Sequence, residues 1–226
     1  MSGRRQNMSV KIESDLAQTK QMIIDMIAMT KNQYDDMVKC LETNDIELGK
    51  SVISSDETIN KMQEAFIEVS LWKIAKQQMV ARDLRRIVGF ILIVKEVERI
   101  ADYAKSICRY YIKYKPSNKL ISFLKKLVAK VIEMLTEVSN IFEEERIESA
   151  YNILKYDAEL DKIYRVENDA LIEKIREAKT KEEIKVITLT MQQLRSIERA
   201  GTHIINIAET LIYIIEGKIY DFELPI

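Results

Sequence analysis

Apolar residues recur at steps of three and four along nearly the whole chain, and this rhythm predicts six helices. The first covers about Ser9 to Leu41, with Ile12, Leu16, Ile23, Ile27, Tyr34 and Val38 on one face, and Thr43-Asn44-Asp45 interrupts it. A second runs from about Asp45 to Lys76 through Val52, Ile59, Met62 and Phe66. The third starts near Val80 and carries Leu84, Ile87, Ile91 and Val94 on to about Tyr111. Lys115-Pro116-Ser117-Asn118 holds the only internal proline and sits near mid-chain, where Ser117 or Asn118 can cap a fourth helix bearing Leu120, Leu124, Leu127, Val131, Met134, Val138 and Ile141. A fifth spans about Glu145 to Ala178. Thr180-Lys-Glu-Glu183 has the spacing of a capping box and opens the sixth, which Gly217 stops. The residues ending Leu224-Pro225-Ile226 read as a tail.

Three helices, a break and three more predict an internal duplication of about 100 residues. The polar residues support it. Asp56-x-x-x-Asn60 on the second helix is answered 101 residues later by Asp157-x-x-x-Asp161 on the fifth. Glu98-Arg99-x-x-Asp102 is answered 100 residues later by Glu198-Arg199-x-x-Thr202, and Asp83-Leu-Arg85 at the same offset by Glu183-Ile-Lys185. The expectation is an all-α chain of two homologous three-helix units, residues 1–115 and 116–226.

The acids in these motifs interrupt apolar seams. Val52, Ile59 and Phe66 enclose Asp56; Tyr151, Leu154, Tyr164 and Leu171 enclose Asp157 and Asp161; the third helix's seam extends to Glu98 and Asp102. Residues four apart share a helix face, so each pair projects its oxygens together. Like charges on a partly buried face are costly unless a bound cation, an arginine such as Arg99 or Arg199, or protonation compensates them. Oxygen donors with few nitrogens or sulfurs suit Mg, Mn or Fe. The plainer alternative is that these acids lie at the seam's edge and pair with nearby lysines and arginines.

Composition narrows the class further. Five glycines and two prolines in 226 residues, with 47% hydrophobic and 31% charged side chains, leave too little turn chemistry for a β-sandwich or a doubly wound sheet. The 35 basic and 36 acidic residues give a net charge of −1, so nothing global points to a polyanion. Cys40 and Cys108 lack any C-x-x-C spacing and read as free thiols. The N-terminus lacks a signal peptide's apolar stretch and no window of about 18 apolar residues appears, so a soluble intracellular protein is expected. One histidine, no P-loop and no nucleophile elbow leave no catalytic machinery, and the expectation is no enzyme.

Val80-Ala-Arg-Asp-Leu-Arg85 followed by Glu96-Val-Glu-Arg-Ile-Ala-Asp102 resembles the first repeat of the PhoU family, and Glu198-Arg-Ala-Gly-Thr-His-Ile-Ile-Asn-Ile-Ala-Glu209 with Tyr213-Ile-Ile-Glu-Gly217 is similar to its second. The resemblance covers nearly the whole chain. It implies two three-helix bundles and a regulatory adaptor that shuts down phosphate uptake and signalling by docking to a phosphate ABC transporter's ATPase subunit or to a sensor histidine kinase. It also implies a cytoplasmic homodimer, working at the inner face of the membrane, that carries multinuclear iron or zinc clusters. Carried over by position, Asp56, Asn60, Glu98 and Asp102 form one metal surface, and Asp157, Asp161 and Glu198 the other. A metal-storage protein and a metal-free helical scaffold are the alternatives.

Two departures matter. Thr202 stands where the second motif would have Asp, and Asn60 replaces a carboxylate with a carbonyl oxygen. Fewer negative ligands lower cation affinity, so the expected clusters are small, weak or absent. The first unit, which keeps both Glu98 and Asp102, is expected to bind better. His203 is read as a helix residue hydrogen-bonded within the bundle, with a metal nitrogen ligand as the alternative. From Tyr103 to Ile132 no acid appears while Lys105, Arg109, Lys113, Lys115, Lys119, Lys125, Lys126 and Lys130 accumulate. This segment reads either as a solvated hairpin whose charges meet acids elsewhere or as a peripheral contact with anionic lipid or an acidic partner surface. A nucleic-acid stripe, with the interleaved tyrosines stacking on bases, is the disfavoured third reading. Met22, Met26, Met29 and Met37 read as core filling.

Overall fold

Short connections with specific capping chemistry separate the helices. The computed structural model describes residues 2–77, 79–144 and 147–217. Helix α1 covers Ser2–Thr43, and Asn44 in the left-handed region (φ 56°) turns the chain. Asp45 then caps α2 (Ile46–Lys76), accepting from the Leu48 N–H at 3.0 Å. Helix α3 spans Ala81–Tyr114 and ends on Lys115 at φ 43°. Pro116 disfavours a helical residue before it, which explains the stop. Helix α4 covers Asn118–Glu144 with Ser117 Oγ accepting from Leu120. Helix α5 covers Ile147–Glu177. The Thr180/Glu183 capping box opens α6 (Lys181–Glu216), and Gly217 ends it at φ 75°, a conformation glycine adopts without steric cost. All six expected helices are present; α1 starts earlier and α3 ends a turn later than the sequence rhythm indicates. The tail ending Leu224-Pro225-Ile226 lies outside the described residues.

Helices α1, α2 and α3 pack on one another, as do α4, α5 and α6. The two bundles meet along α3 against α6 and α1 against α4, while α2 and α5 each touch only their own bundle. Because α3 and α6 contribute buried faces in both directions, one continuous apolar core runs through both bundles, from Ile23 and Tyr34 through Ile93, Val97 and Ala104 to Leu194, Ile204 and Ile212. Met26 and Met37 are buried in this core, with Met22 and Met29 packed on it. Two tyrosine hydroxyls that this burial traps are bonded: Tyr34 Oη donates to the Ile100 carbonyl at 3.0 Å and Tyr110 Oη lies 2.6 Å from Thr190 Oγ1 across the α3–α6 seam. Cys40 and Cys108 are buried free thiols. Among the described residues no helix is long and apolar enough to cross a membrane.

Candidate functional site

Each bundle presents its acids where its second helix meets its third. In the first, the α2 seam holds Val52, Ile59 and Phe66 at 2%, 0% and 1% exposure, and Asp56 in the same row is forced down to 4%. Glu98 and Asp102 lie on α3 beside the buried Val97, Ile100 and Ala101. The compensating charge comes from neither arginine nor protonation alone. Lys105, one turn beyond Asp102, donates to Asp56 Oδ2 at 2.7 Å and pairs with Asp102 Oδ1 at 2.5 Å. Burial disfavours the Lys105 charge, but hydrogen bonds and attraction from Asp102 and Asp56 outweigh it and hold the ammonium's pKa above its ordinary value. Burial also raises the Glu98 carboxyl; Arg99 opposes this, while the charges of Asp102 and Asp56 add to it. Arg99 is only a distant partner, 3.9 Å from Glu98 and largely exposed. Asn60 Nδ2 donates to Asp56 Oδ2 at 3.3 Å. The remaining oxygens, Asp56 Oδ1 and Asn60 Oδ1, are buried without a hydrogen-bond partner.

The second bundle repeats the arrangement without the lysine. Asp157 on α5 is raised by burial and by the neighbouring charge of Asp161. Glu198 on α6 is raised chiefly by burial; Arg195 opposes, and Asp161 and Asp157 add to the rise. Arg195 Nε stands 3.4 Å from Glu198 Oε2 without hydrogen-bond geometry, so that buried oxygen has no hydrogen-bond donor. Arg165 approaches Asp161 at 3.8 Å, and both arginines are mostly in solvent. The position 100 residues after Lys105 is Ile205, and Thr202 is exposed. Among the described residues no lysine is bonded to Asp157, Asp161 or Glu198, and the positive side chains facing them are Arg165, Arg195 and Arg199.

Both sets of sequence-predicted acids are thus brought together, each as a mutually interacting group. Among the described residues, however, no three carboxylate, histidine or cysteine side chains converge closely enough to share one ion as they stand. The expectation that the first unit is the better binder rests on its keeping both Glu98 and Asp102. Lys105 changes that balance, because it cancels one of the three negative charges at the first face and none at the second. Lys105 belongs to the site and was read in sequence only as one member of the basic segment; its spacing of three from Asp102 was the available signal.

The lone histidine lies at the seam between bundles. His203 Nδ1 is 2.7 Å from Glu96 Oε2, which also accepts from Asn206 Nδ2 at 3.0 Å, and His203 Nε2 is 3.4 Å from Tyr103 Oη. Its ring is engaged with α3, in keeping with a residue bonded inside the bundle. The basic segment is partly consumed in the same way. Lys125 pairs with Glu42 at 3.0 Å, Lys126 with the buried Glu167 at 2.6 Å, and Lys130 with Glu133 and Glu159 at 3.0 and 2.5 Å. Arg109, Lys113, Lys115 and Lys119 remain at the surface.

Comparison with known proteins agrees with this architecture. The family model of the PhoU domain matches twice, at residues 23–111 and 124–211, one match in each helical bundle. The chain is 28% identical over 215 residues to the phosphate-specific transport system accessory protein PhoU of Escherichia coli, covering 94% of this chain and 88% of that protein. It is 30% identical over 208 residues to the PhoU homolog of Rhizobium meliloti, covering 91% and 87%. Among solved structures it is similar to PhoU from Pseudomonas aeruginosa, with a TM-score of 0.84 at 26% identity over 91% of this chain and 99% of that one. A phosphate transport regulatory protein PhoU from Streptococcus pneumoniae, at 19% identity and a TM-score of 0.81, shares the fold. With a domain match in each bundle and the paired acidic faces in register, the chain belongs to the PhoU family.

Proposed function

We propose that this chain is a non-enzymatic regulatory adaptor of phosphate transport. It lowers phosphate uptake and phosphate-responsive signalling by docking, as a cytoplasmic homodimer at the membrane's inner face, onto a phosphate ABC transporter's ATPase subunit or onto a sensor histidine kinase. The observation that carries this reading is likeness over 94% of the chain, both bundles included, to proteins named as accessory to phosphate-specific transport. The units taken as 1–115 and 116–226 act together, since the α3–α6 seam keeps both acidic faces on one framework.

Metal belongs to this reading as a ligand of the acidic faces. The donor chemistry fits: all-oxygen side chains, a buried Glu198 Oε2 with no hydrogen-bond donor, and Asp157 and Glu198 carboxyls that burial holds above their ordinary range. Asp157, Asp161 and Glu198 would hold an ion on the second face, and Asp56, Asn60, Glu98 and Asp102 offer oxygens on the first. Iron or zinc bound there supplies positive charge that neutralises the acids. The chain's own part is to keep α5 against α6 and α2 against α3, so that acids from two helices stay within reach of one another. Storage asks for many exchangeable ions, and three carboxylates per face provide few.

The test is phosphate uptake in phosphate-replete cells of the source organism, with and without the chain. Loss should raise uptake severalfold, the wild-type chain should restore it, and the ATPase subunit or a sensor kinase should co-purify with it. Unchanged uptake without either partner would overturn the adaptor reading, and high exchangeable metal loading in its place would favour storage.

A further inference from the structure

We infer that Lys105 is a tethered cation that occupies the first acidic face in place of a metal ion, so that metal is kept off this face. The geometry is direct. The Lys105 Nζ lies 2.7 Å from Asp56 Oδ2 and 2.5 Å from Asp102 Oδ1, bridging α2 to α3 between the acids that a divalent ion would have to share. Its side chain is 16% exposed and that of Asp56 5%, so the pair is poorly screened by water. To enter, an ion must expel an ammonium that cannot diffuse away. Lys105 therefore competes at an effective concentration set by its own helix.

The duplicated chain supplies the internal comparison. Ile205 stands at the position of Lys105, Thr202 at that of Asp102 and Asp161 at that of Asn60, so each face holds three acids, and among the described residues only the first has a lysine bonded to them. The arginines do not redress the difference: Arg99 at the first face and Arg195 at the second stand 3.9 and 3.4 Å from their glutamates and are 65% and 61% exposed. The first face is thus fastened by an internal ion pair whatever the metal supply. This inference rests on the metal part of the reading above and stands apart from its phosphate part.

The test uses the full chain, purified without tag or chelator and titrated with Mn²⁺ alone. Bound metal is counted by mass spectrometry and folding is followed by circular dichroism melts. The background is Asp157→Asn/Glu198→Gln, which removes the second face. With Lys105 intact, this protein should bind no stoichiometric Mn²⁺. Adding Lys105→Gln, or Lys105→Met, should lower the metal-free melting temperature, create one saturable Mn²⁺ equivalent per chain and let Mn²⁺ restore the melt. The inference is overturned if the background protein with Lys105 already binds that equivalent at Asp56, Glu98 and Asp102. It is equally overturned if both Lys105 variants remain folded and gain no metal. Since no partner protein takes part, failure of the phosphate-transport reading leaves these stoichiometries unchanged, and failure here leaves uptake control intact.

Discussion

Glu198 and Asp56 illustrate two answers to one problem, a carboxylate pressed into an apolar seam. Glu198 lacks an adequate positive partner, and burial raises its pKa. A group with a raised folded-state pKa contributes stability that is fully present below its unfolded pKa and is lost as pH rises through the folded value. Metal-free Glu198→Gln should therefore melt higher than wild type at pH 7.5, with the difference shrinking toward zero as the pH falls below the ordinary carboxyl range. Thermal melts from pH 4 to 8 check this, and a variant that melts lower at pH 7.5 would contradict it. Asp56 has a positive partner in Lys105, whose Nζ donates to its Oδ2 at 2.7 Å. Asp56→Asn leaves a buried ammonium with Asp102 alone and should cost about 1–3 kcal/mol, measured by urea unfolding at pH 7. The acidic positions were legible in the sequence because a seam with period 3.6 points at them. The Lys105–Asp56 pair was not, since its partners lie 49 residues apart and meet only once α2 packs on α3.

At the scale of the elements, a glycine marks where α5 comes close to α6. Ala101 on α3 corresponds to Gly201 on α6, and Ile59 on α2 to Leu160 on α5, all of them buried. A methyl group added at Gly201 would overlap Leu160 Cδ2, and Leu160 is only 1% exposed and cannot swing away. Overpacking of this kind costs about 1–3 kcal/mol, and the better helix propensity of alanine returns about 1 kcal/mol. Gly201→Ala should accordingly destabilise the chain by up to about 2 kcal/mol, and Gly201→Ala/Leu160→Ala should recover part of the overlap term in a double-mutant cycle by urea unfolding. No recovery would mean that α5 and α6 do not approach through this pair. Element boundaries were the most legible feature. Asp45, Pro116, the Thr180/Glu183 box and Gly217 are local chemistry, and the ends they set follow from three or four neighbouring residues. A close approach such as Gly201 to Leu160 depends on a helix 40 residues away and leaves only a glycine as its trace.

At the scale of the molecule, duplication suggests two units that could melt separately, and the packing argues against it. The apolar residues of α3 that face α1 and α2 are continuous with those facing α6, so no watery boundary divides the core between residues 115 and 116. The Tyr110–Thr190 contact and the Glu96 bonds with His203 and Asn206 add polar ties across the same seam. Glu96 sharpens the point: burial pushes its carboxyl up, yet the bonds from His203 and Asn206 together with the His203 charge hold it below the ordinary range. Its contribution is present above the unfolded carboxyl pKa and lost as pH falls through the folded value. If one bundle unfolded first, the other would expose the α3 or α6 face that had been buried against it and break these ties. Calorimetry near pH 7 should therefore show one transition with calorimetric and van't Hoff enthalpies in agreement. Gly201→Ala, a change confined to the second bundle, should lower the melting of probes in both bundles together. Trp72 at the end of α2 reports fluorescence from the first bundle alone. A Trp72 transition that stays at the wild-type temperature while the overall helical signal melts earlier would show that the halves unfold independently.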